Sequence, residues 1–250
     1  MLGRALAVLG ILAGFALVIL SAPRLYPYFE PARLIYGVHG IDVSHHQGPI
    51  DWPAVVGGGV AFVYMKATEG GDFVDPRFAE NWAGAADAGV KRGAYHFFTQ
   101  CRSGAAQAAN FIRVVPRDAS ALRHALDAEH MGPCREGPAV DDVVAEIETF
   151  LDQVQAHYGL RPLVYTTREF HRTYLRNALD RDGFWIRSLV RPPSFRTQHW
   201  VVWQYHNWGR RPGIEGPVDL NVLRCPLWSD DVQGENGWTV PLHCAPPGVF

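Results

Sequence analysis

The chain has 250 residues, with 23 Lys and Arg against 25 Asp and Glu; 48% of its residues are hydrophobic and 19% charged. A net charge of −2 sets up no long-range field to gather nucleic acid or an acidic surface, so a neutral or polar substrate is expected and nucleic acid is not a partner. The length suits one enzyme-sized domain with a full core, read as a monomer, and eight Trp offer flat apolar faces of the kind that sugar rings stack on.

The first element differs from the rest. After MLGR come sixteen uncharged residues, Ala5 to Leu20, and then Ser-Ala-Pro. Residues 1–22 read as a signal peptide or an N-terminal membrane anchor. No A-x-A cleavage site follows the run, which favours the anchor, and Arg4 on its inner side places the remainder outside. The expected location is the periplasm or cell envelope, held at the cytoplasmic membrane through this segment alone, or otherwise secreted. Residues 23–35, rich in Pro and aromatics, read as a linker. Four cysteines, Cys101, Cys134, Cys225 and Cys244, agree with an oxidising compartment, and no C-x-x-C occurs. Sequence proximity alone pairs Cys101 with Cys134 and Cys225 with Cys244.

From residue 36 to 228, short β-prone runs alternate with Ala-rich segments. The runs are YGVHGIDVS, VAFVYMKAT, KRGAYHFF, RHALDAEH, RPLVYTT, GFWIRSL and HWVVWQY. Helical patterns lie between several of them: PRFAENWAGAADAG with its closing Gly, SGAAQAANFIRVV, and DDVVAEIETFLDQVQAHYG, where Val143, Ile147, Leu151 and Val154 share one face. Strands alternating with helices predict parallel β/α units, and seven or eight strands predict closure. Between Phe184 and Tyr205 the connection SLVRPPSFRTQ is too short and Pro-rich for a helix. The expected fold is therefore α/β, an irregular TIM-like β/α barrel with fewer helices than strands. Residues 229–250 read as a C-terminal extension.

Chemistry concentrates at the predicted strand ends, where β/α barrels build their active sites. Asp42 ends the first strand; the second carries Tyr64, Lys66 and Glu69, the third Tyr95 and His96, the fourth Asp127 and Glu129, the fifth Tyr165, and later ones Trp185, Trp203 and Gln204. Asp219 opens the last short segment. In LDAEH the two acids stand at i and i+2, on the same face of a strand. Mutual repulsion on a buried face raises one pKa and leaves the other group ionised, which supplies the acid and the base of glycoside hydrolysis. A D-x-E tripeptide is also a common solvated strand end, and Asp219 after Gly-Pro also fits a turn carboxylate. Two other classes stay open. His45, His46, His96 and His130 with Asp42 could serve a metal-dependent polysaccharide deacetylase, although no H-x-x-x-H or H-E-x-x-H occurs. A barrel that binds glycan without cutting it is the other. Arg187, Arg191 and Arg196 read as solvated.

With these motifs in hand, the chain resembles glycoside hydrolase family 25, the lysozymes that act as N-acetylmuramidases. The likeness runs from about Tyr36 to Trp228 through GIDVSHHQG, FVYMKATEG, DPRFAENWAGAADAGVKRGAYHFF, LDAEH, PLVYTT, VVWQY and GPVDLNVL. The resemblance implies an irregular barrel that cleaves the β-1,4 bond between N-acetylmuramic acid and N-acetylglucosamine, with glycan strands of peptidoglycan as its partner and no metal or other cofactor. By motif the four acidic positions fall on Asp42, Asp127, Glu129 and Asp219, with Glu129 as general acid. Asp127 would stabilise the oxocarbenium-like centre or orient the N-acetyl group, while Asp42 and Asp219 bind sugar and tune the pair. Tyr64, Lys66, Tyr95, His96, Tyr165, Trp185, Trp203 and Gln204 are expected to line the cleft. One departure stands out: the family's Trp-Ile strand continues with small residues, whereas here Arg187 and a double proline follow.

Overall fold

Strands flanked by amphipathic helices bury both faces by wrapping into a closed sheet with the helices outside. The computed structural model describes residues 22, 24–130 and 138–224. Its strands are β1 (His39–Val43), β2 (Phe62–Glu69), β3 (Phe73–Val74), β4 (Lys91–Phe97), β5 (Ala125–Ala128), β6 (Leu163–Thr166), β7 (Phe184–Arg187), β8 (Trp200–Gly209) and β9 (Val218–Leu223). They form one nine-stranded sheet in which β1 also pairs with β2, so that every strand except β3 belongs to a closed barrel. The pairings from β1 through β2, β4, β5, β6 and β7 to β8 are parallel. Strand β9 runs antiparallel between β8 and β1, so its first residues, and not its last, reach the rim where the parallel strands end. The expected irregular barrel is the observed fold.

The three longest helices agree with the patterns that predict them, and two short ones appear where no helical pattern was read. Helix α1 (Trp52–Gly57) is capped by Asp51, whose carboxylate accepts from Ala54 N, and carries Pro in its first turn. Helices α2 (Phe78–Asp87) and α3 (Gly104–Val114) follow β3 and β4, and Ser103 caps α3. Helix α4 (Val140–Tyr158) buries Val143, Ile147, Leu151 and Val154 on one stripe and stops at Gly159, whose φ of 86° suits a left-handed C-cap. A short α5 (Arg168–Phe170) continues as a π-helical turn over His171–Leu175. No helix joins β7 to β8, as the Pro-rich connection requires.

Two-residue alternation divides the core. Val63, Met65 and Ala67 of β2, Leu126 and Ala128 of β5, and Phe184 and Ile186 of β7 face the helices. Phe62, Tyr64, Ala125, Leu163, Tyr165, Trp185, Val202 and Leu223 form a separate cluster that plugs the barrel interior. Gly40 and Gly93 make room for this plug, because a Cβ there would meet the rings of Phe62 and Tyr64 at 2.4 and 2.5 Å. One end of the barrel is thereby closed by aromatic packing.

The segment read as a linker is ordered against the barrel. Two 3-10 turns, Tyr26–Tyr28 and Pro31–Leu34, bring Glu30 onto Arg211 at 2.7 Å and Tyr26 into a stack with His206 of β8. The apolar run Ala5–Leu20, Cys134, Cys225, Cys244 and the extension 229–250 lie outside the described residues, and so does the expected cysteine pairing. None of the described residues is a free cysteine. Among the described residues no helix is long and apolar enough to cross a membrane.

Where α3 meets α4, Gly104 N donates to Glu146 Oε2 at 2.6 Å, and a Cβ on Gly104 would lie 1.9 Å from the Glu146 carbonyl oxygen. Gly104→Ala must push the helices apart. It is expected to cost about 1–3 kcal/mol in urea unfolding, and an unchanged midpoint would show that the two helices separate freely.

Candidate active site

Above the aromatic plug the inward positions change from apolar to polar. A cleft of about 360 Å³ opens there, lined by Asp42, Ser44, His46, Lys66, Tyr95, Phe97, Asp127, Glu129, Tyr165, Trp185, Arg187, Gln204, Asn207 and Asp219. Each strand supplies its residues by parity. Asp127 points inward from β5, Leu126 and Ala128 point out, and Glu129 just beyond the strand returns to the cleft. Asp42 and Asp219 are directly opposed in the β1–β9 ladder, which the antiparallel direction of β9 makes possible.

Asp42 is held by a lattice of amides. Its Oδ2 accepts from Asn221 Nδ2 at 2.7 Å and from Gln204 Nε2 at 2.9 Å. Those amides are themselves oriented from the plug: Trp185 Nε1 donates to Asn221 Oδ1 at 2.8 Å, and the Tyr165 hydroxyl donates to Gln204 Oε1 at 3.0 Å. Burial pushes Asp42 up to about 6, and the two amide donors limit the rise by favouring its charged form. Asp219 has burial and then the Asp42 charge acting on it, and is pushed up to about 8. Between these two, the proton belongs on Asp219.

The pair on β5 has its own asymmetry. Asp127 rises well above the usual carboxylate range through burial first, then the charges of Glu129 and Asp42. Its Oδ1 is buried with no hydrogen-bond partner among the described residues. Glu129 is also raised by burial, but Arg187 opposes the shift, its Nη1 lying 3.6 Å from Glu129 Oε2. That cation favours ionised Glu129, so burial and repulsion leave the proton to Asp127. Lys66, the other cation of the cleft, is matched by Glu69 at 2.6 Å and lies over the Phe97 ring.

Of the expected cleft residues, Lys66, Tyr95, Tyr165, Trp185 and Gln204 line it with all four acids. Three do not. Tyr64 lies in the plug beneath, stacked near Trp185 with its hydroxyl donating to the Arg123 carbonyl. His96, next to inward Tyr95, must face out; it is buried against Phe150, with Thr68 Oγ1 2.7 Å from its Nδ1 and Gln107 Oε1 3.1 Å from its Nε2. Trp203, next to inward Gln204, packs on Tyr36 and Trp200 outside the barrel and donates to the Ser188 carbonyl. Neighbours in a strand cannot share a face, so each of the pairs Tyr95-His96 and Trp203-Gln204 contributes one member.

The structure also corrects the arginines. Arg187 is a cleft residue, two positions after Trp185, and Arg196 is bound to His171, Asp180 and two backbone carbonyls, while Arg191 is exposed. Asn221, missing from the expected set, stands two residues after Asp219 and was reachable by the same count. The histidines are dispersed. His45 Nδ1 pairs with Asp75 Oδ2 at 2.8 Å, His46 faces the cleft, His96 is in the core and exposed His130 touches Thr173. Among the described residues no group of three or more His, Cys, Asp or Glu is arranged to hold a metal ion.

The raised pKa of Asp219 has a stability consequence. Folded, the group titrates near 8; unfolded, near 3.8. Between those values the folded state binds more protons, so stability falls as pH rises. Asp219→Asn removes the ionisation and is expected to raise the melting temperature at pH 8 by about 2–4 °C, with the gain closing near pH 4. Thermal melts across that range test it, and equal melting of the two proteins at pH 8 would contradict it.

Comparison with known proteins agrees with the geometry. The family model described as Glycosyl hydrolases family 25 matches residues 41–214. Lysozyme M1 of Streptomyces globisporus is 36% identical over 203 residues, covering 74% of this chain and 67% of the relative. A family 25 glycosyl hydrolase structure from Bacillus anthracis superposes with a TM-score of 0.71 at 36% identity, covering 75% of this chain and 89% of the other. The bacterial lysozyme from Streptomyces coelicolor gives a TM-score of 0.67 at 37% identity, with 75% and 92% covered. The cleft of buried carboxylates and these matches agree on one assignment: the chain belongs to glycosyl hydrolases family 25 and is a glycoside hydrolase of the lysozyme type.

Proposed function

We propose that this hydrolase cleaves the β-1,4 bond between N-acetylmuramic acid and N-acetylglucosamine in peptidoglycan, with Glu129 as general acid. One observation supports this most: Asp127 and Glu129 leave a single strand end side by side in a buried cleft, both with raised pKa, and Asp127 Oδ1 has no partner among the described residues. Repulsion between buried carboxylates keeps one proton in the pair near neutral pH, so an acid and a base coexist. With substrate in the cleft this proton passes from Asp127 to Glu129, which donates it to the leaving glycosidic oxygen, and water completes the hydrolysis. The free oxygen of Asp127 is left to the substrate, where it orients the N-acetyl group and stabilises the oxocarbenium-like centre. Asp42, fixed by Asn221 and Gln204, and protonated Asp219 hold sugar hydroxyls on the opposite wall. Lysozyme M1 and the N,O-diacetylmuramidase of Chalaropsis sp., 35% identical over 138 residues, support the substrate class.

The protein works outside the cell, held at the membrane by Ala5–Leu20. Leu25, Tyr28, Phe29, Leu34 and Ile35 support this reading, because they are exposed on the turns that follow that run. Aromatic and aliphatic side chains of this kind suit the membrane interface.

Release of reducing ends from purified peptidoglycan is expected to fall about 10²- to 10⁴-fold in Glu129→Gln and to be unchanged in chelator. An unaltered rate in that variant would remove Glu129 from the mechanism. In cell fractions the protein is expected to stay with membranes through carbonate washing; recovery of a soluble form beginning near Pro23 would replace the anchor with a cleaved signal.

A further inference from the structure

Among the described residues, Arg187 is the cleft cation whose nearest counter-charge, Glu129, the proposed chemistry takes away. Its backbone is rigidly presented. It pairs with Gln204 across β7 and β8, and the next residue is clamped by Ser188 N donating to Gln204 O at 3.0 Å and by Trp203 Nε1 donating to Ser188 O at 2.6 Å. The side chain is 32% exposed, against 10% for Glu129, so the guanidinium faces the space a ligand would fill. The 3.6 Å approach to Glu129 is longer than the ~2.7–2.9 Å of a charge-assisted hydrogen bond, and leaves the planar fork open to a better-matched anion. Lys66 by contrast already has Glu69 at 2.6 Å. When Glu129 carries the proton that it donates, Arg187 loses its nearest carboxylate charge and keeps Tyr165 and the charges of Asp42 and Asp127 around it. A ligand carboxylate would replace the lost charge, and its two oxygens match the guanidinium fork.

We propose that Arg187 is a specificity-determining residue that binds a carboxylate carried by the glycan strand. The inference rests on the proposed peptidoglycan substrate and deepens it. Two parts of such a strand bear this chemistry: the lactyl carboxylate of muramic acid, free where the peptide has been removed, and the carboxylates of the stem peptide itself. An anionic substituent is accepted beside Arg187 and repelled by ionised Asp42.

The test is calorimetric binding to the purified full chain, which needs no turnover. The probes are the N-acetylglucosaminyl-N-acetylmuramic acid disaccharide as free acid and as methylamide, and the same disaccharide bearing a stem peptide with free or amidated carboxyls. The wild type is expected to bind a free-acid form about tenfold more tightly than its amide, and Arg187→Gln to abolish that preference. Arg187→Lys, keeping the charge without the fork, is expected to retain part of it. Preference within the simple disaccharides assigns the lactyl carboxylate, and preference confined to the peptide-bearing forms assigns the stem peptide. Absence of any preference in the wild type, including absence of measurable binding of the free acids, overturns the proposal even if Arg187→Gln does not fold. An equal loss of affinity for acid and amide in that variant also overturns it. A protein that shows the preference but releases no reducing sugar would instead refute the proposed hydrolysis.

Discussion

Four carboxylates share one low-dielectric cleft, and most of the surrounding structure serves to make that arrangement tolerable. Charged groups close together in a buried site repel and lose hydration, so they hold protons that they would give up in water. The structure meets this constraint in different ways on its two walls. On the β1–β9 side, Asp42 receives two amide donors and stays the more acidic, while Asp219 opposite it takes the proton. On the β5 side no amide lattice intervenes. Asp127 keeps an unpartnered oxygen, and a single arginine across the cleft divides the pair.

The aromatic plug beneath is the counterpart of this cleft. Tyr165 and Trp185 belong to both, with rings packed in the plug and polar tips fixing Gln204 and Asn221. Rings of this size give a rigid platform, and their single donors are aimed where the next polar layer begins. A change in the plug therefore reaches Asp42 through two hydrogen bonds, without any direct contact with substrate. Function here depends on packing one layer down as much as on the acids.

The segment 24–35 extends the same economy to the outside of the barrel. Glu30 bridges to Arg211 and accepts from Tyr205, and Tyr26 stacks on His206, so this segment is tied to β8, the strand that carries Gln204. Its exposed apolar side chains then have a defined direction relative to the cleft. Pro and aromatic richness in the sequence read as a linker because composition reports the absence of a periodic pattern. It does not report a docking partner some 180 residues away in the chain.

Much of the molecule was legible as pattern. Alternating strands and helices, the Pro-rich gap before β8 and the inward parity of Asp127 with Glu129 all follow from local periodicities of 2 and 3.6, which need no knowledge of the rest of the chain. Strict use of the two-residue period would also have rejected His96 beside Tyr95 and Trp203 beside Gln204, and admitted Arg187 and Asn221. Other features had no local signal. Tyr64 has the same parity as Lys66, yet it lies one layer lower, and depth within a barrel depends on strand tilt and stagger across neighbours. The reversal of β9, which brings Asp219 opposite Asp42, is a matter of chain path. By itself the sequence determined which side of each strand faces in, since that parity is set within the strand. Only the tertiary structure decided which inward residues meet and at what depth, and so which carboxylate keeps its proton, because repulsion and desolvation act between groups that the chain brings together from afar.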